Sequence, residues 1–117
     1  MPQLMLEYSS NIVEKNELIP LLQKINHFLA ESLPADLAAC KSRAIERDVY
    51  CVSDGDSKHA FVHAHLKIMA GRTPEKLNTV GNDFLALLQG YFKASSKQLA
   101  LQISLEIQEL QKTYFKT

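Results

Sequence analysis

Four short stretches of this chain alternate apolar and polar side chains residue by residue, and two longer stretches between them repeat apolar residues at helical spacing. Alternation is the period of a strand with one buried face, and spacing near 3.6 is that of a helix with one buried stripe. The order of periods therefore dictates the order of elements. Residues 2–8 alternate, with Leu4, Leu6 and Tyr8 on one side and Gln3, Met5 and Glu7 on the other. Pro2 is tolerated at the first strand position because it need not donate to the ladder. Asn11 and Glu14 then stand at capping-box spacing, and Leu18, Leu21, Leu22, Ile25, Phe28 and Leu29 form a helical stripe that should end near Ser32 to Pro34. Proline is cheap only in the first turn, so the regular helix starts just before Pro20 or a weaker turn precedes it.

A second extended stretch is expected over Ala39–Val52, with Lys41, Arg43 and Arg47 on one face. The cluster Ser53-Asp54-Gly55-Asp56-Ser57 holds an Asp-Gly pair, the signal of a hairpin turn. It predicts that the next strand, Ala60–Ile68, returns antiparallel. Thr73 is a natural N-cap with Pro74 in the first helical position, and Leu77, Val80, Phe84, Leu87, Leu88 and Tyr91 carry a helix to about Ala94. Leu99–Ile107 alternates again, and the polar tail 108–117 has no readable pattern. The result is two βαβ units joined by a turn, a single α+β domain over residues 1–117. Right-handed crossovers would place both helices on one face of a four-stranded mixed sheet. The other face would be bare and suited to self-association.

Composition limits what such a domain does. Thirteen basic and thirteen acidic side chains cancel, which argues against general nucleic-acid or membrane-surface binding, since both need excess positive charge. No stretch has the length of a membrane span and no secretory leader is visible, so a cytoplasmic location is expected. Cys40 and Cys51 belong to no metal-ligand spacing and read as reduced, packed thiols. His63 and His65 share a strand side and could be half of a metal site. No further ligand stands at suitable spacing, so they read as structural residues of the sheet face, and His27 and His59 as surface residues.

Chemistry is suggested first by Met1-Pro2. If the initiator methionine is removed, Pro2 becomes a terminal secondary amine, and a terminal amine titrates near enough to neutrality to act as a general base. Met-Pro alone is also simply how a reading frame can start. Arg72 precedes a helix start, where it could clamp a carboxylate or be a solvated loop residue. Lys41 and Arg43 could hold a second carboxylate or form a solvated edge.

These residues sit within longer matches. MPxxxxEYSSNI at 1–12, KSR at 41–43, DG at 54–55, AFVHxxLKIxAGR at 60–72 and LALxxxxEIxEL at 99–110 span nearly the whole chain. In that order they resemble the tautomerase superfamily, and within it the 5-carboxymethyl-2-hydroxymuconate isomerases of aromatic-compound catabolism, the route of homoprotocatechuate degradation. The resemblance implies a cofactor-independent isomerase assembled as a homotrimer. It makes Pro2 the base, with Arg72, Arg43 and Lys41 binding a small di- or tricarboxylate substrate. No metal, nucleic acid or membrane takes part. Members of the family tend to carry Arg-Ser-Arg where this chain has Lys-Ser-Arg. Lysine supplies a point charge without the bidentate fork. The alternatives are a phenylpyruvate-type tautomerase, a haloacrylate hydratase or dehalogenase, and a non-enzymatic oligomeric binding protein.

Overall fold

The computed structural model describes residues 1–117. Strand β1 (Gln3–Ser9) leads through a 3-10 turn at Lys15–Glu17 into helix α1 (Leu18–Ser32), and a second such turn at Leu37–Ala39 precedes β2 (Lys41–Arg47). Then follow β3 (His59–Ile68), α2 (Pro74–Tyr91), a short α3 (Lys93–Gln98) and β4 (Ala100–Glu109). The sheet order is β2-β1-β3-β4. β1 runs parallel to β2 and β3 parallel to β4, while β1 and β3 meet antiparallel at the centre. The helices lie on one face, as expected, and the two βαβ units are joined where their first strands meet.

Alternation is expressed directly as burial. Leu4, Leu6 and Tyr8 of β1 and Ala60, Val62, Ala64, Leu66 and Ile68 of β3 are buried beneath the helices. From above, α1 supplies Leu21, Ile25 and Leu29, and α2 supplies Val80, Phe84 and Leu88. Phe28 and Phe84 join the two helices with ring centroids 5.5 Å apart. Thr73 caps α2 as its sequence position predicts, its Oγ1 accepting from Lys76 N at 3.1 Å. Pro20 falls in the first turn of α1, and the 3-10 turn before it is the weaker start that the proline imposes.

Several expectations are corrected. The Asp-Gly segment turns, with Gly55 at φ 85° and its N–H bonded to Val52 O at 3.0 Å, but it does not close a hairpin. β1 lies between β2 and β3, so the chain must travel about 10 Å across the sheet, too far for a two-residue turn. Segment 48–58 makes that crossing. The second strand accordingly stops at Arg47 rather than Val52. As an edge strand it has only β1 to pair with, its last partner is Ser9, and Val49 beyond it is 97% exposed. His59 is half-buried rather than superficial. It is paired with Asp54 at 3.1 Å, and the Asp56 N–H, with His59 nearby, holds the Asp54 carboxyl below its ordinary 3.8. Cys40 is buried as expected, whereas Cys51 is exposed.

The helix expected to run to about Ala94 divides at Phe92, whose fully buried ring lies between α2 and α3. Asn11 and Glu14 form no capping box. Asn11 Nδ2 donates to Ser57 O and His59 O, at 3.3 and 2.9 Å. Glu14 turns inward to 7% exposure and accepts from Ser95 N at 3.1 Å and from Ser95 Oγ. Ser95 Oγ in turn accepts from Val13 N at 2.8 Å. A buried carboxylate is stable only while its acceptors are satisfied. Ser95→Ala should therefore cost about 1–3 kcal/mol, seen as a lower urea midpoint at unchanged m-value; an unchanged midpoint would show that the cluster contributes nothing.

Candidate active site

The candidate residues gather at one end of the sheet because of register. Gln3 pairs with Lys41 on one side and with Lys67 on the other, and Lys67 pairs with Gln108. The start of β1, the start of β2, the end of β3 and the end of β4 thus share an edge. Pro2 is buried at this edge, and its carbonyl accepts from Lys41 N at 3.1 Å. The terminal amine, on Met1, donates to Ala39 O at 3.2 Å.

Beside it lies a cavity of about 440 Å³ walled by Met1, Gln3, Asp36, Lys41, Tyr114 and Lys116 among others. Burial first, then Lys41, then Lys116, push the terminal amine below its ordinary 8.0, while Cys40 and Asp36 oppose the shift. Each cause acts on the charged form: low dielectric and neighbouring cations both disfavour an ammonium. A larger groove of about 790 Å³ runs between α2 and β4 past Leu77, Gly81, Leu105 and Ile107. Its only titratable wall residue is Glu75, and it stands apart from the amine.

The four residues singled out from the sequence are arranged unequally. Lys41 is exposed on the cavity wall with its Nζ bonded to Ala39 O at 3.3 Å. Arg43 lies one pleat further along the same strand face and donates from one NH group to Gln3 Oε1 at 2.8 Å. Arg72 is half-buried and donates to Met69 O at 3.0 Å and to Leu33 O at 2.9 Å. It thereby ties the end of α1 to the loop after β3. Neither arginine lines the cavity. The third cation of the β2 face, Arg47, is neutralised by Glu7 at 2.9 Å.

Sequence reasoning passed over Gln3, Asp36, Tyr114 and Lys116. Gln3 shares its strand parity with the residues across from it and was within reach of a pairing argument. The tail residues carried no local signal, because only the return of β4 brings them beside the amino terminus. On the uncovered sheet face, His63 Nδ1 meets Ser104 Oγ at 2.7 Å and His65 Nε2 meets Gln108 Oε1 at 2.8 Å.

Comparison with known proteins bears on the fold and the family. A family model described as 5-carboxymethyl-2-hydroxymuconate isomerase matches residues 2–117. The 5-carboxymethyl-2-hydroxymuconate Delta-isomerase of Escherichia coli is 36% identical over 113 residues, covering 97% of this chain and 90% of that protein. A crystal structure of a 5-carboxymethyl-2-hydroxymuconate isomerase from Deinococcus radiodurans R1 superposes with a TM-score of 0.91 at 33% identity, covering 99% of this chain and 88% of the other. A fused 4-OT described as a symmetric trimer shares the fold, with a TM-score of 0.67 at 18% identity over 98% of this chain and 90% of its own.

The electrostatics of the edge make a direct claim on the amine. In a chain that retains Met1, the terminal amine, followed by pH-dependent acylation, should titrate below 8.0; an apparent pKa at or above that value would contradict the cation-lined setting.

Proposed function

Because the chain belongs to the 5-carboxymethyl-2-hydroxymuconate isomerase family, we propose that this isomerase moves a proton within a carboxylated dienol of that kind, with the Pro2 nitrogen as the base. Removal of Met1 is part of the proposal, since an amide nitrogen has no useful basicity. It leaves the amine one residue deeper, on a buried proline. The observation that supports the reading best is the setting of the amino terminus: burial, Lys41 and Lys116 lower the Met1 amine below its ordinary value, and Pro2 follows it directly at the start of β1, its carbonyl bonded to Lys41 N.

Pro2 takes the proton from the enol hydroxyl, electron density moves along the conjugated chain, and the same nitrogen returns the proton to a carbon further on. Nothing is gained or lost overall, so one mobile base serves both half-steps. Lys41 and Arg43 face the substrate from β2, and Arg72 from the loop after β3. Together they hold its carboxylates and stabilise charge developing on oxygen. Arg72 is well suited to this. Its two carbonyl contacts fix the plane of the guanidinium, and an anchored fork loses little freedom when it receives a carboxylate. Lys41, a point charge, steers an anion without imposing an orientation.

The bare sheet face presents Met5, Ile45 and Phe61 among polar neighbours, and we assign it to contacts within a homotrimer. Two free cysteines fit a reducing compartment, in keeping with a cytoplasmic role in aromatic-acid breakdown.

Intact mass should show Met1 absent, and Pro2→Ala should lower kcat for dienol ketonisation, followed by ultraviolet absorbance, by roughly 10²- to 10⁴-fold. Full activity in a form that retains Met1 would sink the proposal. Light scattering should return the mass of three chains, and a monomer would remove the role assigned to the bare face.

A further inference from the structure

The tail beyond β4 does not leave the fold. Leu110 N donates to Ile68 O at 2.7 Å, carrying the β3 to β4 ladder one bond further, and Tyr114 N closes a turn on Gln111 O at 3.2 Å. This path brings Tyr114 and Lys116 onto the wall of the cavity that Met1 and Lys41 also line. An exposed lysine on a patternless polar tail is ordinary. A lysine delivered by the last strand to the cavity of the terminal amine is not.

The distribution of charge there singles it out. Arg43 is engaged by Gln3 and Arg72 by two backbone carbonyls, and neither reaches the cavity wall. The cations of the wall are Lys41 from β2 and Lys116 from the tail. The one acidic side chain of the wall, Asp36, accepts from Ala38 N at 3.1 Å. A muconate carries a carboxylate at each end, and a carboxymethyl arm adds another. Such a substrate needs more cations than the strand and loop residues supply at the amine itself.

Resting on the isomerase reading above, the geometry points to Lys116 as a further specificity-determining residue: with Lys41 it forms a paired-cation cradle, contributed by strand and tail, for the substrate carboxylate nearest the base. The tail is then a wall of the site. Lys116 acts twice, binding the anion and favouring the neutral form of the amine from the side opposite in sequence to Lys41. The other titratable residues around the amine are Asp36 and Cys40, which oppose the two lysines, and Tyr114 on the same wall.

The test uses full-length protein and tricarballylate, a non-reacting tricarboxylate, titrated by calorimetry. Lys116→Ala, at an exposed position that leaves the core intact, should weaken binding by roughly fivefold, the upper range for an ion pair open to solvent. Lys116→Arg should stay within about twofold, because the charge is kept. The amine should also titrate higher in Lys116→Ala than in wild type and be restored in Lys116→Arg, a readout that a merely structural tail would not move. Unchanged tricarballylate affinity in Lys116→Ala, or no binding by wild type, overturns the inference. Lys116-dependent binding in a protein that does not ketonise dienols would retire the proton-transfer proposal and leave the cradle standing.

Discussion

The antiparallel contact between β1 and β3 is what the rest of the molecule hangs on. Leu4 faces Leu66, Leu6 faces Ala64 and Tyr8 faces Val62, and apart from Tyr8 none of these side chains has any exposure. Each βαβ unit alone would offer a two-stranded sheet with one helix, too little apolar surface to cover. Joined along this seam, the two units share one core, and α1 and α2 meet above it through Phe28 and Phe84. The seam also fixes polarity. Because β3 runs against β1, the start of β1 lies beside the end of β3, and β4, parallel to β3, ends there too.

That polarity assembles the candidate site. A terminal amine, the first residues of β2, the loop after β3 and the tail after β4 come from four separate parts of the sequence. They converge because the strand directions leave them no other edge. The electrostatics follow from the convergence. Lys41 arrives by parallel pairing with Gln3 and Lys116 by the tail's return, and both flank a partly buried amine. Local partners set what each of the other cations can do. Arg47 is satisfied by Glu7, and the guanidinium of Arg72 is tethered to carbonyls at the end of α1 and the loop after β3. A tethered arginine is a receptor of fixed orientation; an exposed lysine is an adjustable charge. On the proposed reading the two kinds of cation suit different carboxylates.

Polar residues that look like local signals often serve distant elements. Asn11 and Glu14 have the spacing of a capping box, yet Asn11 binds the carbonyls of Ser57 and His59, and Glu14 binds Ser95. Both therefore fasten the entrance of α1 to the second half of the chain. The Asp-Gly pair shows the same limit in another form. It turns the backbone where Gly55 takes a positive φ, but whether a turn closes a hairpin depends on which strands are neighbours, and a short-range signal carries no information about that.

Legible in the sequence were the properties set by period and by backbone chemistry: four strands, two principal helices, the buried parity of each strand, the Thr73 cap, and the early position of Pro20 in its helix. The matched blocks pointed as well to the family, and the roles proposed for Pro2, Lys41, Arg43 and Arg72 rest on that resemblance. These follow from contacts within a few residues, or from strings long enough to be distinctive. Tertiary structure decided that β1 stands between β2 and β3, that Glu14 is buried, that Arg72 is anchored to α1, and that Lys116 shares a cavity with the amino terminus. Each depends on residues far apart in sequence being brought together by sheet order, and periodicity records which face a side chain takes without recording which strand lies beside it.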